Sequence, residues 1–307
     1  MAGDPFERDH RPVHGRPEPL APGIVVVTAP NPGPMTFTGT RTYIVGAGRD
    51  RVVIDPGPDD AGHLDAVAAA VPAGVRVRAI LVTHGHADHA AGVRGLQDRL
   101  DVPVLGFGPR ERTAAMQRLA AAGDLGGGEG IAAGFAPDAR LADGEVVAGD
   151  GWRLEAIHTP GHLGDHLCFA WPEAGALFSG DTVMGWATTL ISPPDGDLGA
   201  FLASLDRLAA RPEGAYYPGH GAVLRDPGGM IAWQRAHRAE RDVQIRAAVS
   251  AGLATIPEIV AAVYPDLGPA LRPAAARNVL AHLIGLVGRA EVAATEPLGP
   301  AARYVPR

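Results

Sequence analysis

The stretch LVTHGHADHA, from Leu81 to Ala90, brings three histidines and an aspartate together within six positions. The apolar run 79–82 directly before Thr83 predicts a β-strand. Because the chain must turn where a strand ends, alternate side chains beyond it can converge on one point while the next residue faces a second. A polar loop that is rich in histidine by chance is the alternative, but the chain has only 12 histidines in 307 residues. The stretch therefore predicts ligands for two adjacent metal ions: His84, His86, Asp88 and His89.

Imidazole and carboxylate donors without a thiolate favour zinc, with manganese or iron as alternatives. Four ligands in one turn do not complete two sites, so further ligands are predicted downstream, each near the end of a strand. Three residues meet this requirement: His162 in AIHTPGHLGDH, Asp181 in ALFSGDTV and His220 in AYYPGHG. A glycine beside each of them lets the backbone turn tightly near a metal.

The joint pattern of HxHxDH at 84–89, TPGH at 159–162, SGD at 179–181 and PGH at 218–220 resembles the metallo-β-lactamase superfamily of binuclear metallohydrolases. The stretches NPGPMTFTGTRTYIVG (31–46) and VVIDPG (52–57) also match the way such domains begin. The resemblance implies one ion held by His84, His86 and His162. It implies a second ion held by Asp88, His89 and His220. Asp181 would bridge both ions, and Asp55 would hydrogen-bond a ligand histidine without binding a metal itself.

Two further segments, 183–208 and 237–245, resemble a narrower branch, the β-lactamase-like protein 2 family. Members of that family have a metallohydrolase domain followed by a winged helix. The resemblance covers roughly residues 20–300. Arg41 departs from it, because that branch commonly has asparagine there.

Alternating strand-like and helical stretches up to about residue 220 predict an αββα sandwich with the metals at one edge between the sheets. The remaining chain has helical spacing, and Thr255 with Glu258 predicts a capping box. We therefore predict an α/β fold followed by a small C-terminal winged-helix-like helical domain. The predicted divisions are a flexible leader at 1–20, a hydrolase domain at 21–230 and the winged-helix-like domain at 231–307. The glycine-rich stretch 123–137 predicts a loop that either borders the active site or is a plain surface insertion.

The composition is that of a water-soluble enzyme of 307 residues with a net charge of −7. A single cysteine, Cys168, excludes an internal disulfide and suits a reducing compartment. With no secretory signal and no long apolar segment, these features predict a cytoplasmic protein that does not contact a membrane. All 27 basic residues are arginine, which together with abundant Ala, Gly and Pro indicates a GC-rich bacterial genome.

The resemblance implies a hydrolase in which a hydroxide bridged by two zinc ions cleaves an ester, thioester or related bond in a small molecule. Asp181 would hold the metal pair, and Asp88 would both ligate and orient the nucleophile. The alternative is an endoribonuclease acting on single-stranded RNA, as animal members of the narrower branch imply. The acidic charge argues against it. The C-terminal domain is predicted to be a separate module that leans over the metal face and helps to select the substrate, and a dimer remains open.

Overall fold

The computed structural model describes residues 4–123, 125, 130–295 and 297–307. Two β-sheets pack face to face, with helices on both outer faces. The first sheet has its seven strands in sequence order: β1 Pro17–Ala21, β2 Ile24–Thr28, β3 Arg41–Val45, β4 Asp50–Ile54, β5 Arg76–Leu81, β6 Val104–Gly106 and β7 Ala139–Arg140. The second sheet has the reversed order β12-β11-β10-β9-β8 and consists of β8 Val146–Gly149, β9 Trp152–His158, β10 Leu167–Trp171, β11 Ala176–Gly180 and β12 Ala215–Pro218.

The helices of the sandwich are α1 Ala61–Ala69, α2 Ala87–Ala90, α3 Val93–Leu100, α4 Ala114–Ala122 and α5 Leu198–Ala209. The C-terminal part adds α6 Pro227–Ser250, α7 Ile256–Val263, α8 Arg272–Gly288 and a small two-stranded sheet of β13 Val292–Ala294 and β14 Tyr304–Pro306. Within the described part of the chain, no helix combines the length and apolarity needed to cross a membrane.

Strand alternation explains the layers, because successive side chains of a strand point to opposite faces of its sheet. In β3, Tyr43 and Val45 lie in the core between the two sheets, whereas Ile44 packs in the cluster formed with α1 and α3. In β10, Phe169 lies in the same central core, whereas Cys168 packs in the cluster formed with α5. The predicted αββα sandwich is therefore confirmed.

The C-terminal part also follows the sequence prediction in its local chemistry. The Glu258 carboxylate accepts hydrogen bonds from the Thr255 backbone N–H at 2.9 Å and from the Thr255 hydroxyl at 2.8 Å, at the predicted capping box. The order of three helices followed by a β-hairpin is that of a winged helix. The fold class, a sandwich followed by a winged-helix domain, is thus as predicted.

The C-terminal helices share a hydrophobic core with the sandwich. Met230 and Ile231 of α6 and Ala281 of α8 belong to the same buried cluster as Phe201 and Leu205 of α5. The module therefore packs directly on the outer face of the second sheet, where the sequence suggested a separate unit. The boundary predicted at residue 230 lies inside α6, which is continuous from Pro227 to Ser250.

The predicted leader differs from a free chain in the part that the structure describes. Pro17–Ala21 forms the edge strand β1 and pairs with β2. Further upstream, the Phe6 ring contacts the Trp233 ring edge-on with centroids 4.9 Å apart, and His10 Nδ1 lies 3.0 Å from Thr38 Oγ1. An aromatic contact and hydrogen bonds thus fix this segment against the surface, which its polar, proline-rich composition did not predict.

Candidate metal centre

All seven predicted ligands lie beyond the C-terminal ends of four strands, at one edge of the sandwich. Two of these strands, β11 and β12, pair in parallel. The β5 strand leads to His84, His86, Asp88 and His89, the β9 strand to His162, the β11 strand to Asp181 and the β12 strand to His220. The short helix α2 starts directly after His86 and carries Asp88 and His89 on its first turn. Both sheets therefore contribute to one cluster, as the strand-end pattern predicted.

The ligand atoms of this cluster form three overlapping groups, each within 4.8 Å: His84, His86 and His162; Asp88, His89 and His220; and His84, His89 and Asp181. The first two groups contain the same residues that the resemblance assigned to two separate ions. The third group connects them.

Asp181 lies between the two histidine groups. Its Oδ2 atom is 3.7 Å from His162 Nε2 and 3.5 Å from His220 Nε2, and its Oδ1 atom is 3.5 Å from His89 Nε2. Asp88 belongs to the second group, with Oδ2 at 3.2 Å from His220 Nε2 and at 3.5 Å from His89 Nε2. One carboxylate is thus within reach of both groups, which is the placement that a bridging ligand requires.

The cluster has unsatisfied polar atoms that fit a divalent cation. His84 Nε2 and Asp181 Oδ1 are buried and have no hydrogen-bond partner among the described residues. Leaving such atoms unpaired costs about 1–3 kcal/mol each. In addition, His86 Nδ1 is 3.0 Å from His162 Nε2, and His89 Nε2 is 3.2 Å from His220 Nε2. Ring nitrogens that converge on one another in this way form a donor set that suits a metal.

Four of the five histidines are oriented by a bond to Nδ1, which leaves Nε2 to face the centre. The partners are Thr83 Oγ1 for His84 at 2.9 Å, Asp55 Oδ2 for His89 at 2.8 Å, the Leu190 carbonyl for His162 at 2.8 Å and the Gly39 carbonyl for His220 at 3.3 Å. Such outer hydrogen bonds fix the tautomer and the ring orientation of ligand histidines. The contact between Asp55 and His89 agrees with the role that the sequence suggested for Asp55.

Burial and charge set the protonation states of the cluster. Burial lowers the pKa of His84 and of His162, and it lowers the pKa of His86 to about 3, so these imidazoles are neutral. Burial also favours the neutral form of Asp181, but the nearby His220 and His89 outweigh it and hold its pKa well below the usual range. Neutral imidazoles and ionised carboxylates are the forms that bind metals.

The pKa values of His220 and His89 are shifted upwards, in the opposite direction to those of the other three histidines. Burial disfavours the charged form of His220, yet Asp181 and Asp88 outweigh it and raise the pKa to about 9. The same carboxylates, together with Asp55, raise the pKa of His89. The carboxylates therefore create a negative potential at this point, which a bound cation also satisfies.

Two glycines in the ligand motifs are required by space. A side chain at Gly219 would place its Cβ atom 2.5 Å from Asp181 Oδ1 and 2.6 Å from His89 Cε1. Gly161 has a φ of +139°, and a Cβ atom there would collide with the backbone of Phe201. The PGH and TPGH motifs therefore need glycine for close approach as well as for the turn.

The described part of the glycine-rich loop borders the centre. The Ala87 N–H donates to the Gly130 carbonyl at 2.7 Å, and the Ala132 N–H donates to the Gly85 carbonyl at 2.9 Å. Residues 124 and 126–129 of the predicted loop lie outside the described residues. The Asp88 side chain is 28% exposed and that of Asp181 is 10% exposed, so the centre opens towards Asp88.

Arg41, the departure from the resembled branch, takes a structural role. Its side chain is buried and donates to the carbonyl of Gly221, directly after His220. Its backbone N–H donates to the Gly219 carbonyl at 2.9 Å. Arg41 thus fixes the PGH loop on both sides of His220. Its charge and chain position gave no signal of this contact.

Sequence reasoning missed the backbone carbonyls that orient the ligands. Gly39 and Leu190 act through their main-chain oxygen atoms, which no residue-type pattern can mark. His166 is fully buried, and its Nε2 atom accepts from the Asp181 backbone N–H at 3.1 Å.

Family comparisons agree with this architecture. A family model described as "Metallo-beta-lactamase superfamily" matches residues 35–220, and one described as "Beta-lactamase associated winged helix domain" matches residues 255–296. Among curated proteins, the chain is similar to an atrochrysone carboxyl ACP thioesterase of Aspergillus chevalieri, with 32% identity over 254 residues. That alignment covers 80% of this chain and 74% of the relative.

A second relative, the lactamase-like protein GME11357 of Pestalotiopsis microspora, is 31% identical over 226 residues, which is 73% of this chain but 62% of that protein. Among solved structures, a beta-lactamase domain protein from Burkholderia ambifaria superposes with a TM-score of 0.80 at 23% identity, covering 97% of this chain and 96% of that one. That likeness concerns the fold. A third comparison is TTHA1623 in a di-iron-bound form, with 32% identity, a TM-score of 0.51 and coverage of 67% and 96%.

Proposed function

The chain belongs to the metallo-beta-lactamase superfamily of hydrolases, and from this premise we propose that it cleaves thioester bonds with the help of two divalent cations, chiefly zinc. The observation that carries the proposal is the convergence of seven donor side chains from both sheets, with His84 Nε2 and Asp181 Oδ1 buried and unpaired among the described residues. The thioester class is supported by the relatives named as ACP thioesterases.

In this proposal, His84, His86 and His162 would hold one cation, and Asp88, His89 and His220 would hold the other. Asp181 would bridge them. Bound cations of this kind supply hydroxide near neutral pH and polarise the carbonyl group that is attacked. The chain's own part is to orient the ligands through hydrogen bonds to their Nδ1 atoms and to exclude bulk water by burial. Asp88, on the open side, would orient the attacking oxygen.

The shape of the centre supports a substrate with a narrow reactive end. His84, His89 and His220 are each at most 1% exposed, whereas the Asp88 side chain is 28% exposed. The reacting bond must therefore enter a recess from the Asp88 side. An acyl group carried as a thioester at the end of a flexible arm meets this requirement.

Three arginines of the C-terminal module are already paired with acids, which favours a small acyl substrate over RNA. Arg235 pairs with Asp206 at 2.7 Å, and Arg246 pairs with Glu291 at 2.9 Å. Arg289 pairs with Asp242 at 2.8 Å. Arginines that already neutralise acids on the same surface offer little attraction to phosphates.

The test compares three substrates on the same purified protein: an S-acyl pantetheine thioester, the matching oxygen ester and a labelled single-stranded RNA. We expect close to two metal ions per chain, chiefly zinc, and hydrolysis of the thioester in preference to the oxygen ester. Chelation should lower the thioester rate by at least about 100-fold, since the metal lowers the barrier by several kcal/mol, and added zinc should restore it. Protein that holds no metal would contradict the proposal, as would cleavage of RNA with the thioester left intact.

A second prediction concerns Asp55, whose two oxygens both accept hydrogen bonds. Oδ1 accepts from the Thr83 backbone N–H at 2.7 Å, and Oδ2 accepts from the Thr83 hydroxyl and from His89 Nδ1, each at 2.8 Å. In Asp55→Asn, the amide NH₂ must face one of these donors. We expect zinc affinity to fall by about 10- to 100-fold, which titration of the metal-free protein against a chromophoric chelator would measure.

The matched control is Asp50→Asn, at the other end of β4. Asp50 pairs with Arg76 at 2.9 Å and with Arg78 at 3.3 Å, far from the ligands in the strand. This variant should keep the zinc affinity of the unchanged protein. Equal losses in both variants would show that Asp55 acts through general stability and not through His89.

A further inference from the structure

Two polar side chains of the C-terminal module contact a short segment that in turn contacts two of the candidate ligands. We propose that Arg238 of α6 and Asn278 of α8 are positioning residues of the metal centre, acting through the 189–191 segment (Thr189, Leu190 and Ile191). This inference rests on the ligand assignment of the proposed function. It gives the C-terminal module a role inside the hydrolytic site instead of above it.

On its inner side, the 189–191 segment contacts His162 and Asp181. The Leu190 carbonyl accepts a hydrogen bond from His162 Nδ1 at 2.8 Å. The Thr189 hydroxyl donates to the Asp181 carbonyl at 2.8 Å and is 3.1 Å from the Thr182 carbonyl. The segment therefore sets the rotation of one ligand ring and the backbone position of the proposed bridging carboxylate.

On its outer side, the same segment is held by the C-terminal module. The Arg238 guanidinium donates to the Thr189 carbonyl through NH2 and to Asn278 Oδ1 through NH1, the latter at 3.3 Å. Asn278 Oδ1 also accepts from the Ile191 backbone N–H at 3.2 Å. The residues on both sides of Leu190 are thus tied to α6 and α8, and the Leu190 carbonyl is fixed between them.

The environment of Arg238 shows that burying its guanidinium costs the fold free energy. The residue is 4% exposed, its guanidinium carbon lies 5.6 Å from the centre of the Phe201 ring, and burial lowers its pKa to about 10. Its hydrogen-bond acceptors among the described residues, Thr189 O and Asn278 Oδ1, are both neutral, and its Nε atom has no partner there. A buried cation without a paired acid is expensive, and an apolar side chain would fill this space at lower cost.

The planar guanidinium explains why an arginine is found here, because one such group can hold two acceptors at once. The guanidinium presents several N–H groups in a rigid plane, so it fixes a main-chain carbonyl and the Asn278 amide oxygen at the same time. Ligand geometry in metal sites must be held to about 0.5 Å, and outer hydrogen bonds carry that precision. Arg238 and Asn278 supply it for the side of the centre formed by His162 and Asp181.

The experiment measures metal binding by the full-length protein, independently of catalysis. Metal-free protein is titrated with Co²⁺ in competition with a chromophoric chelator, and the visible absorption of the bound Co²⁺ reports ligand geometry. For Asn278→Leu, which removes the acceptor at similar size, and for Arg238→Met, we expect an affinity lower by about 10-fold and an altered Co²⁺ spectrum. Asn278→Asp keeps an oxygen at the Oδ1 position and should restore both.

The matched control is Arg241→Met, one turn further along α6. The polar and ring partners of Arg241 among the described residues belong to the C-terminal module: it donates to Gln244 Oε1 at 2.7 Å and to the Val263 carbonyl at 3.1 Å, and it lies over the Tyr264 ring. This variant should be destabilised while keeping the Co²⁺ affinity and spectrum of the unchanged protein.

The outcomes separate this inference from the proposed function. If the unchanged protein binds no metal, the ligand assignment fails and the inference fails with it. If the unchanged protein binds metal and Asn278→Leu has the same affinity and spectrum, the inference alone is overturned. An equal loss of affinity in Arg241→Met would also overturn it, because the effect would then be general destabilisation. Should Arg238→Met fail to fold, the Asn278 pair of variants decides the question.

Discussion

Asp181→Ala is expected to lower kcat/KM for a thioester by roughly a thousandfold, equivalent to about 4 kcal/mol in activation free energy. The reason is that, among the described residues, its carboxylate is the one that lies within 3.5–3.7 Å of Nε2 atoms in both histidine groups. Without it, two cations would no longer share a ligand, and one hydroxide would not be held between them. Steady-state kinetics together with metal analysis of the purified variant would measure both effects.

The fold should survive this change, because Asp181 follows the end of β11 at the sheet edge and does not belong to the hydrophobic clusters. Thermal unfolding of the variant would show this. The matched control is Asp206→Ala on α5, whose carboxylate pairs with Arg235 on the surface and should leave turnover unchanged. Near-normal turnover in Asp181→Ala would refute its assignment as the bridge.

A chain that ends at Arg225 is expected to lose its folded structure and its metals. Removing α6 and α8 takes Met230, Ile231 and Ala281 away from Phe201 and Leu205. Burial of one large apolar side chain contributes about 1.5–3 kcal/mol, whereas a whole domain is stable by only about 5–15 kcal/mol. The sequence alone suggested a separate module, because the cluster that it shares with α5 leaves no mark in the local sequence pattern.

Circular dichroism, thermal unfolding and metal analysis of the shortened chain would measure this loss. Met230→Asp in the full-length chain is the companion variant, since it disturbs the same interface while every residue remains present. We expect it to lower the unfolding temperature and the metal content in the same direction. A soluble shortened chain with unchanged metal content and unfolding temperature would show that the module is dispensable for the centre.

The candidate ligands were predictable from sequence because each sits at the end of a strand within a few residues of glycine. Each ligand motif combines a metal-binding side chain with a glycine that allows a turn, in HGHADH, TPGH, SGD and PGH. His162 and His220 are found in the same way, since each follows a strand. Asp55 was predictable for the same reason, since it directly follows β4.

Other parts of the centre were not predictable, because their signals are long-range. Asn278 is 87 residues away from Ile191, and Arg238 is 49 away from Thr189. Arginine and asparagine occur throughout polar helix faces, so nothing local distinguishes these two. Main-chain carbonyls such as that of Leu190 have no sequence signature. The contact between Phe6 and Trp233 likewise joins residues that are far apart in the sequence.

The hydrogen bond from Ile191 to Asn278 has a consequence for the order of events during synthesis. Because a ribosome releases the chain from its N-terminus, all seven candidate ligands emerge before α8, which carries Asn278. If Asn278 fixes the geometry of the centre, the histidines and carboxylates of a nascent chain are not yet held in their final positions. Metal would then bind less tightly until α8 has packed, and an incomplete chain would hold its metals in a less ordered site than the finished one.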